Sequence, residues 1–83
     1  MAIGEALLKK INKKFEPSSM IRLKHGRHDL ALKTDEQGNG ILLFLGREGQ
    51  DGQIHGDRYA RTMKYDREGK LIKDHWERKG KAG

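Results

Sequence analysis

His25 and His28 flank the dipeptide Gly26-Arg27, so a two-residue turn there sets two imidazoles face to face with Asp29 alongside. Neutral imidazole is a common ligand for zinc or nickel, but a structural zinc needs four ligands and only two or three converge at this turn. His55 and His75 fall in another part of the chain, and no HExxH or closely spaced His cluster occurs. The pair therefore reads as exposed turn histidines, with neither metal nor cofactor expected. No Ser stands in a motif with a base, since Ser18 and Ser19 follow the first apolar-periodic segment, and the carboxylates are dispersed along strands and turns. Gly46-Arg47-Glu48-Gly49 lacks the Lys-Ser/Thr of a phosphate-binding loop, and Asp35 to Gly40 lacks the calcium-loop spacing. With no nucleophile beside a base and no paired carboxylates, the chain is expected not to be an enzyme.

Charge is the stronger signal. The 83 residues carry 18 Lys and Arg against 12 Asp and Glu, a formal net charge of +6. Residues 1–33 hold a net +5, residues 34–57 a net −4 and residues 58–83 a net +5. Such an excess suits a phosphate backbone, because each neutralised phosphate releases counterions whatever the base sequence. A charge-rich outer face also keeps a small sheet soluble and blunts its edges, and the stacking aromatics that would sharpen a nucleic-acid role are few. Only Phe44, Tyr59, Tyr65 and Trp76 are candidates.

Length and composition bound what remains. A chain this short buries only about 60–65 % of its unfolded surface, so one domain is expected and a ligand must bind at the surface. The absence of cysteine excludes a disulfide framework, thiolate metal sites and a Cys nucleophile. The longest apolar run, Ile41 to Leu45, is far short of the roughly 20 residues of a membrane span. The N-terminus does not read as a signal peptide, and a soluble cytoplasmic domain without a membrane role is expected.

The elements that must position these residues follow from periodicity. Ile3, Leu7, Leu8, Ile11 and Phe15 recur at three- and four-residue spacing, with Lys9, Lys10, Lys13 and Lys14 on the other side. This predicts an amphipathic helix over 2–15, stopped before Pro17. From Met20 the period is two. Gly at the first central position predicts a type II′ turn at Gly26-Arg27, which sets His25 opposite His28, Lys24 opposite Asp29, Leu23 opposite Leu30 and Ile21 opposite Leu32. After a polar loop over 35–40, Ile41 to Leu45 is apolar on both faces, as in a central strand, and Gly46 to Gln53 reads as a mobile loop. Ile54 to Tyr65 and Lys70 to Arg78 form a second hairpin around Asp66-Arg67-Glu68-Gly69. A four-residue loop there pairs Tyr65 with Lys70, Met63 with Ile72, Arg61 with Asp74 and Tyr59 with Trp76, which reads as core with one ion pair set into it. Residues 79–83 read as a basic flexible tail beyond a domain spanning 1–78.

The expected fold is α+β: one N-terminal amphipathic helix packed on a single antiparallel meander of about five strands. In these registers the outer sheet face collects Arg22, Lys24, Lys33, Arg58, Lys64 and Lys73, with Thr62 and His75 between them. They are the candidate residues for contacting RNA or DNA phosphates, with the helix lysines as a second basic stripe. The alternative partner is another protein or a second copy. One helix about 10 Å across cannot cover a sheet about 24 Å wide, so some apolar surface should remain exposed.

Overall fold

The two-residue alternation becomes five antiparallel strands in the computed structural model, which describes residues 4–82. Helix α1 (Glu5–Ile11) precedes β1 (Met20–His25), β2 (His28–Thr34), β3 (Gly40–Glu48), β4 (Ile54–Tyr65) and β5 (Leu71–Ala82). The strands lie in sequence order in one sheet, a plain meander. No helix among the described residues is long and apolar enough to cross a membrane.

The first hairpin has the register that its turn demands. His25 pairs with His28, Lys24 with Asp29, Leu23 with Leu30 and Ile21 with Leu32. Gly26 has φ +61° while Arg27 stays at negative φ, the combination of a type II′ rather than a type I′ turn.

The second hairpin keeps the expected faces but not the expected partners. Asp66 Oδ1 accepts the amides of Glu68 and Lys70, and Gly69 takes φ +82°. This is a type I turn closed by a glycine bulge, in which Asp66 N–H donates to the Lys70 carbonyl. Tyr65 therefore pairs with Leu71 instead of Lys70, and a further bulge at Ile72 moves the next pair to Lys64 and Lys73. Two one-residue shifts restore the side-chain parity. Arg61 stands opposite Trp76, Met63 opposite Asp74 and Tyr59 opposite Arg78, each two positions from the expected partner. The loop before β3 repeats the device, with Asp35 Oδ1 accepting from Gln37 and Asn39.

Three further expectations are corrected. The helix is shorter than 2–15: it ends at Ile11, and the chain beyond pairs with the turn after β2, through a Lys14–Asn39 bridge and the Phe15 amide on the Gly38 carbonyl. Ile3 lies outside the described residues. The glycines of 46–53 do not form one mobile loop, because Gly46 to Glu48 continue β3 and only 49–53 connect it to β4. The basic tail is strand up to Ala82, with Lys81 opposite Asp57 and Ala82 opposite Gly56.

One side of the sheet carries the core. Leu30, Leu32, Leu43, Leu45 and Tyr59 form a single buried cluster with Leu7 and Ile11 of α1, against which Leu8, Phe15, Ile21, Leu23 and Trp76 are partly buried. The last β3–β4 pair is Leu42 with Ala60, so Arg61–Tyr65 and 71–76 continue as a two-stranded ribbon. The molecule is accordingly elongated, 46 × 26 × 21 Å. Ile72, expected in the core, is 63 % exposed on that ribbon.

Candidate functional site

Residues opposed across an antiparallel pair share a face, so the registers determine which side chains stand together on the side away from the core cluster. Row by row, Lys24 and Asp29 lie beside Gly46 and Gly56, Arg22 and Ala31 beside Phe44 and Arg58, and Met20 and Lys33 beside Leu42 and Ala60. Farther along the ribbon stand Thr62 with His75 and Lys64 with Lys73. Arg22, Lys24, Lys33, Arg58, Lys64 and Lys73 thus fall on one face, and all six are exposed.

They are not equivalent. Arg22 is held at both ends of its guanidinium: Nη1 lies 2.8 Å from Glu48 Oε1, and Nη2 donates to the Gly52 carbonyl at 3.1 Å. Lys24 Nζ stands 4.0 Å from Asp29 Oδ1. Lys33, Arg58, Lys64 and Lys73 have no acidic partner among the described residues. Lys64 and Lys73 are directly opposed, an arrangement that costs stability unless an anion lies between the two ammonium groups.

The second basic stripe does not form. Only Lys9 and Lys10 lie on α1. Lys9 is 3.8 Å from Glu5, Lys10 donates to the Lys24 carbonyl, and Lys14 reaches the Gln37 carbonyl from beyond the helix.

The outer face is not a plain solvated surface at its β1 end. Gly46 and Gly56 face each other across β3 and β4, where a Cβ on either would collide with the opposite backbone, at the His55 or the Leu45 carbonyl. This close approach lets the end of the β3–β4 hairpin turn over the outer face. Glu48 N–H then reaches Asp29 Oδ2 at 2.9 Å, Arg22 ties down Gly52, and Ala31 and Ile54 become buried. The loop itself is closed by Gly49 N–H on the Gln53 carbonyl, and by Asp51, which accepts from the Gln53 amide and contacts His55 Nε2 at 3.2 Å. Between this loop and β1 runs a groove of about 200 Å³ with apolar walls from Met20, Ala31, Phe44 and Ile54. The groove was not anticipated, although its signal was present: a strand apolar on both faces beside a single short helix must place Phe44 where no helix covers it.

On the opposite side, Arg61 is nearly enclosed, its side chain 5 % exposed, and forms a bidentate pair with Asp74 at 2.6 Å for each bond. Its Cζ lies 5.8 Å from the centre of the Trp76 ring, whose Nε1 donates to Asn12 Oδ1. The Arg61 hydrogen bonds hold the Asp74 carboxyl below its ordinary range, outweighing the effect of burial. This group braces the ribbon against the helix exit and offers no open site. Among the described residues no three of His, Cys, Asp and Glu come together as metal ligands.

Comparison of the chain with protein-family models, with curated proteins and with solved structures found no match.

Proposed function

We propose that this chain is a non-enzymatic nucleic-acid-binding module whose outer sheet face engages the phosphate backbone. The observation that supports this role is the set of four exposed cations on one face, Lys33, Arg58, Lys64 and Lys73, none with an acidic partner among the described residues. Leu7 and Ile11 of α1 belong to the core cluster on the other side, so the helix does not cover the face that carries these cations. From Arg58 to Lys64 the face extends about 20 Å along β4, enough for several consecutive phosphates. The measurement is affinity for RNA and DNA oligomers against salt. With about four phosphates neutralised, log K should fall with log salt at a slope near −3 to −4. Reversing Lys33, Arg58, Lys64 and Lys73 together to Glu should abolish binding with the circular dichroism unchanged. Undiminished affinity in that variant, or no binding to any oligomer at about 50 mM salt, rejects the proposal.

A protein-contact role has one observation in its favour: Tyr65, Leu71 and Ile72 are 50, 41 and 63 % exposed at the end of the ribbon. If a second copy covers them, the native chain sediments as a dimer and Ile72→Glu as a monomer. A monomeric native chain removes this second possibility.

A further inference from the structure

Four features of the outer face converge on the groove beside Phe44, and we infer that it receives one unstacked base of a single-stranded nucleic acid. This rests on the phosphate-binding role proposed above and specifies its ligand.

The first feature is chemical. Phe44 lies at the middle of the central strand with Ala31 on one side, a residue too small to cover its ring, and Arg58 on the other. Bases stack on aromatic rings whatever their identity, because every base has a π-face. The second is size. At about 200 Å³, the groove falls below the roughly 300–1,000 Å³ that enclose a drug-sized ligand. It suits one planar ring system, not a nucleotide with its sugar and phosphate.

The third is polarity. The walls are apolar, while Arg22 and Gln53 stand at the rim. Arg22 is anchored by its bonds to Glu48 and the Gly52 carbonyl, so it shapes the groove, and it keeps further N–H donors at the rim. The Gln53 side chain has no hydrogen-bond partner among the described residues, and its amide offers a donor and an acceptor together, as a base edge requires. The fourth is charge. Lys33 lies one row from Ala31 and Arg58 directly opposite Phe44, both without acidic partners. A base seated on Phe44 brings its phosphates to those two cations.

A duplex cannot use such a groove, since its bases are stacked and paired, and single strands splay theirs out at little cost. An apolar peptide would fill the walls but would leave Lys33 and Arg58 unmatched. Charge complementarity therefore selects the single strand.

The test measures the full chain against four labelled oligomers of about 12 nucleotides: single-stranded RNA, single-stranded DNA, a duplex, and an abasic strand that keeps the phosphates and lacks the bases. The single strands should bind about tenfold or more tighter than the abasic strand and the duplex at equal salt. Phe44→Leu, which keeps an apolar filler, should lower single-strand affinity about tenfold to the abasic level, with the salt slope and the abasic affinity unchanged. Gln53→Ala, at an exposed position, should change the preference among homopolymers without changing the melting temperature. Equal binding of all four oligomers, unaffected by Phe44→Leu, removes the base site and leaves the phosphate contacts standing. Absence of binding to any oligomer removes both. A dimer that Phe44→Leu converts to monomer assigns the groove to a second copy and overturns the inference.

Discussion

Arg61 shows how one side chain resolves competing demands. Its guanidinium is nearly enclosed, a position in which an unpaired charge would be costly, yet Asp74 supplies two bonds at 2.6 Å and Gly40 a carbonyl at 3.3 Å. The pair is diagonal across the strands rather than directly opposite, and Arg61 spans the offset because its side chain is long. Asp74→Asn should destabilise by about 2 kcal/mol, the scale of a charge-assisted hydrogen bond, measured by urea denaturation at neutral pH. The pH dependence has a definite sign. Because the folded Asp74 carboxyl lies below its unfolded value, the pair's contribution is complete above about pH 4 and is lost as pH falls through the folded pKa. Asp74→Asn should therefore flatten the acid limb of the stability curve while leaving the alkaline limb in place. An acid limb unchanged in the variant would place the titration elsewhere. Trp76→Phe tests the neighbouring contact. It keeps most of the packing and loses the bond to Asn12, at a cost of about 1 kcal/mol.

Among the elements, two kinds of glycine do different work, and substitutions separate them. Gly26 has φ +61° with open space around its Cβ position. Its requirement is conformational, so Gly26→Asn should be tolerated and Gly26→Val should cost about 1–2 kcal/mol. Gly46 has no such φ, but a Cβ there meets the His55 backbone carbonyl. Gly46→Ala should cost about 2 kcal/mol or more, because the obstacle is backbone and cannot rotate away. Amide exchange should then accelerate in 49–53, since the hairpin end can no longer turn over the outer face. Equal losses for Gly26→Asn and Gly46→Ala would contradict this distinction.

For the whole molecule, the cations of the outer face divide into those that hold the structure and those that are free to bind. Arg22 counts among the candidate phosphate ligands by position, yet its guanidinium staples the 49–53 loop to β1. Arg22→Gln should lower the melting temperature by a few degrees while moving the salt slope of binding by less than one. Lys64→Gln with Lys73→Gln should do the reverse, raising stability slightly by removing opposed charges and reducing the slope by about two. A slope that follows Arg22 and ignores the lysine pair would move the binding surface off the ribbon.

Much of this was legible from local chemistry. The period of two and the Gly26-Arg27 turn specify the first hairpin pair by pair, because side-chain alternation and turn type depend only on neighbours along the chain. The same parity places Arg22, Lys24, Lys33, Arg58, Lys64 and Lys73 on one face, and it survives in the second hairpin because two bulges, at Gly69 and Ile72, cancel in their effect on facing. Cross-strand partners were not legible there, since each bulge shifts them by one residue without leaving a periodic signature. Tertiary structure alone decided the rest. The helix stops at Ile11 because the turn after β2 offers pairing to Lys14 and Phe15, which periodicity within the helix does not register. The hairpin end turns over the outer face beside Phe44, leaving a groove there, because two glycines distant in sequence meet across β3 and β4. Charge composition counts cations, but only the folded arrangement determines which have an acid or a carbonyl within reach, because ion pairing depends on distance in space and not on position in the chain.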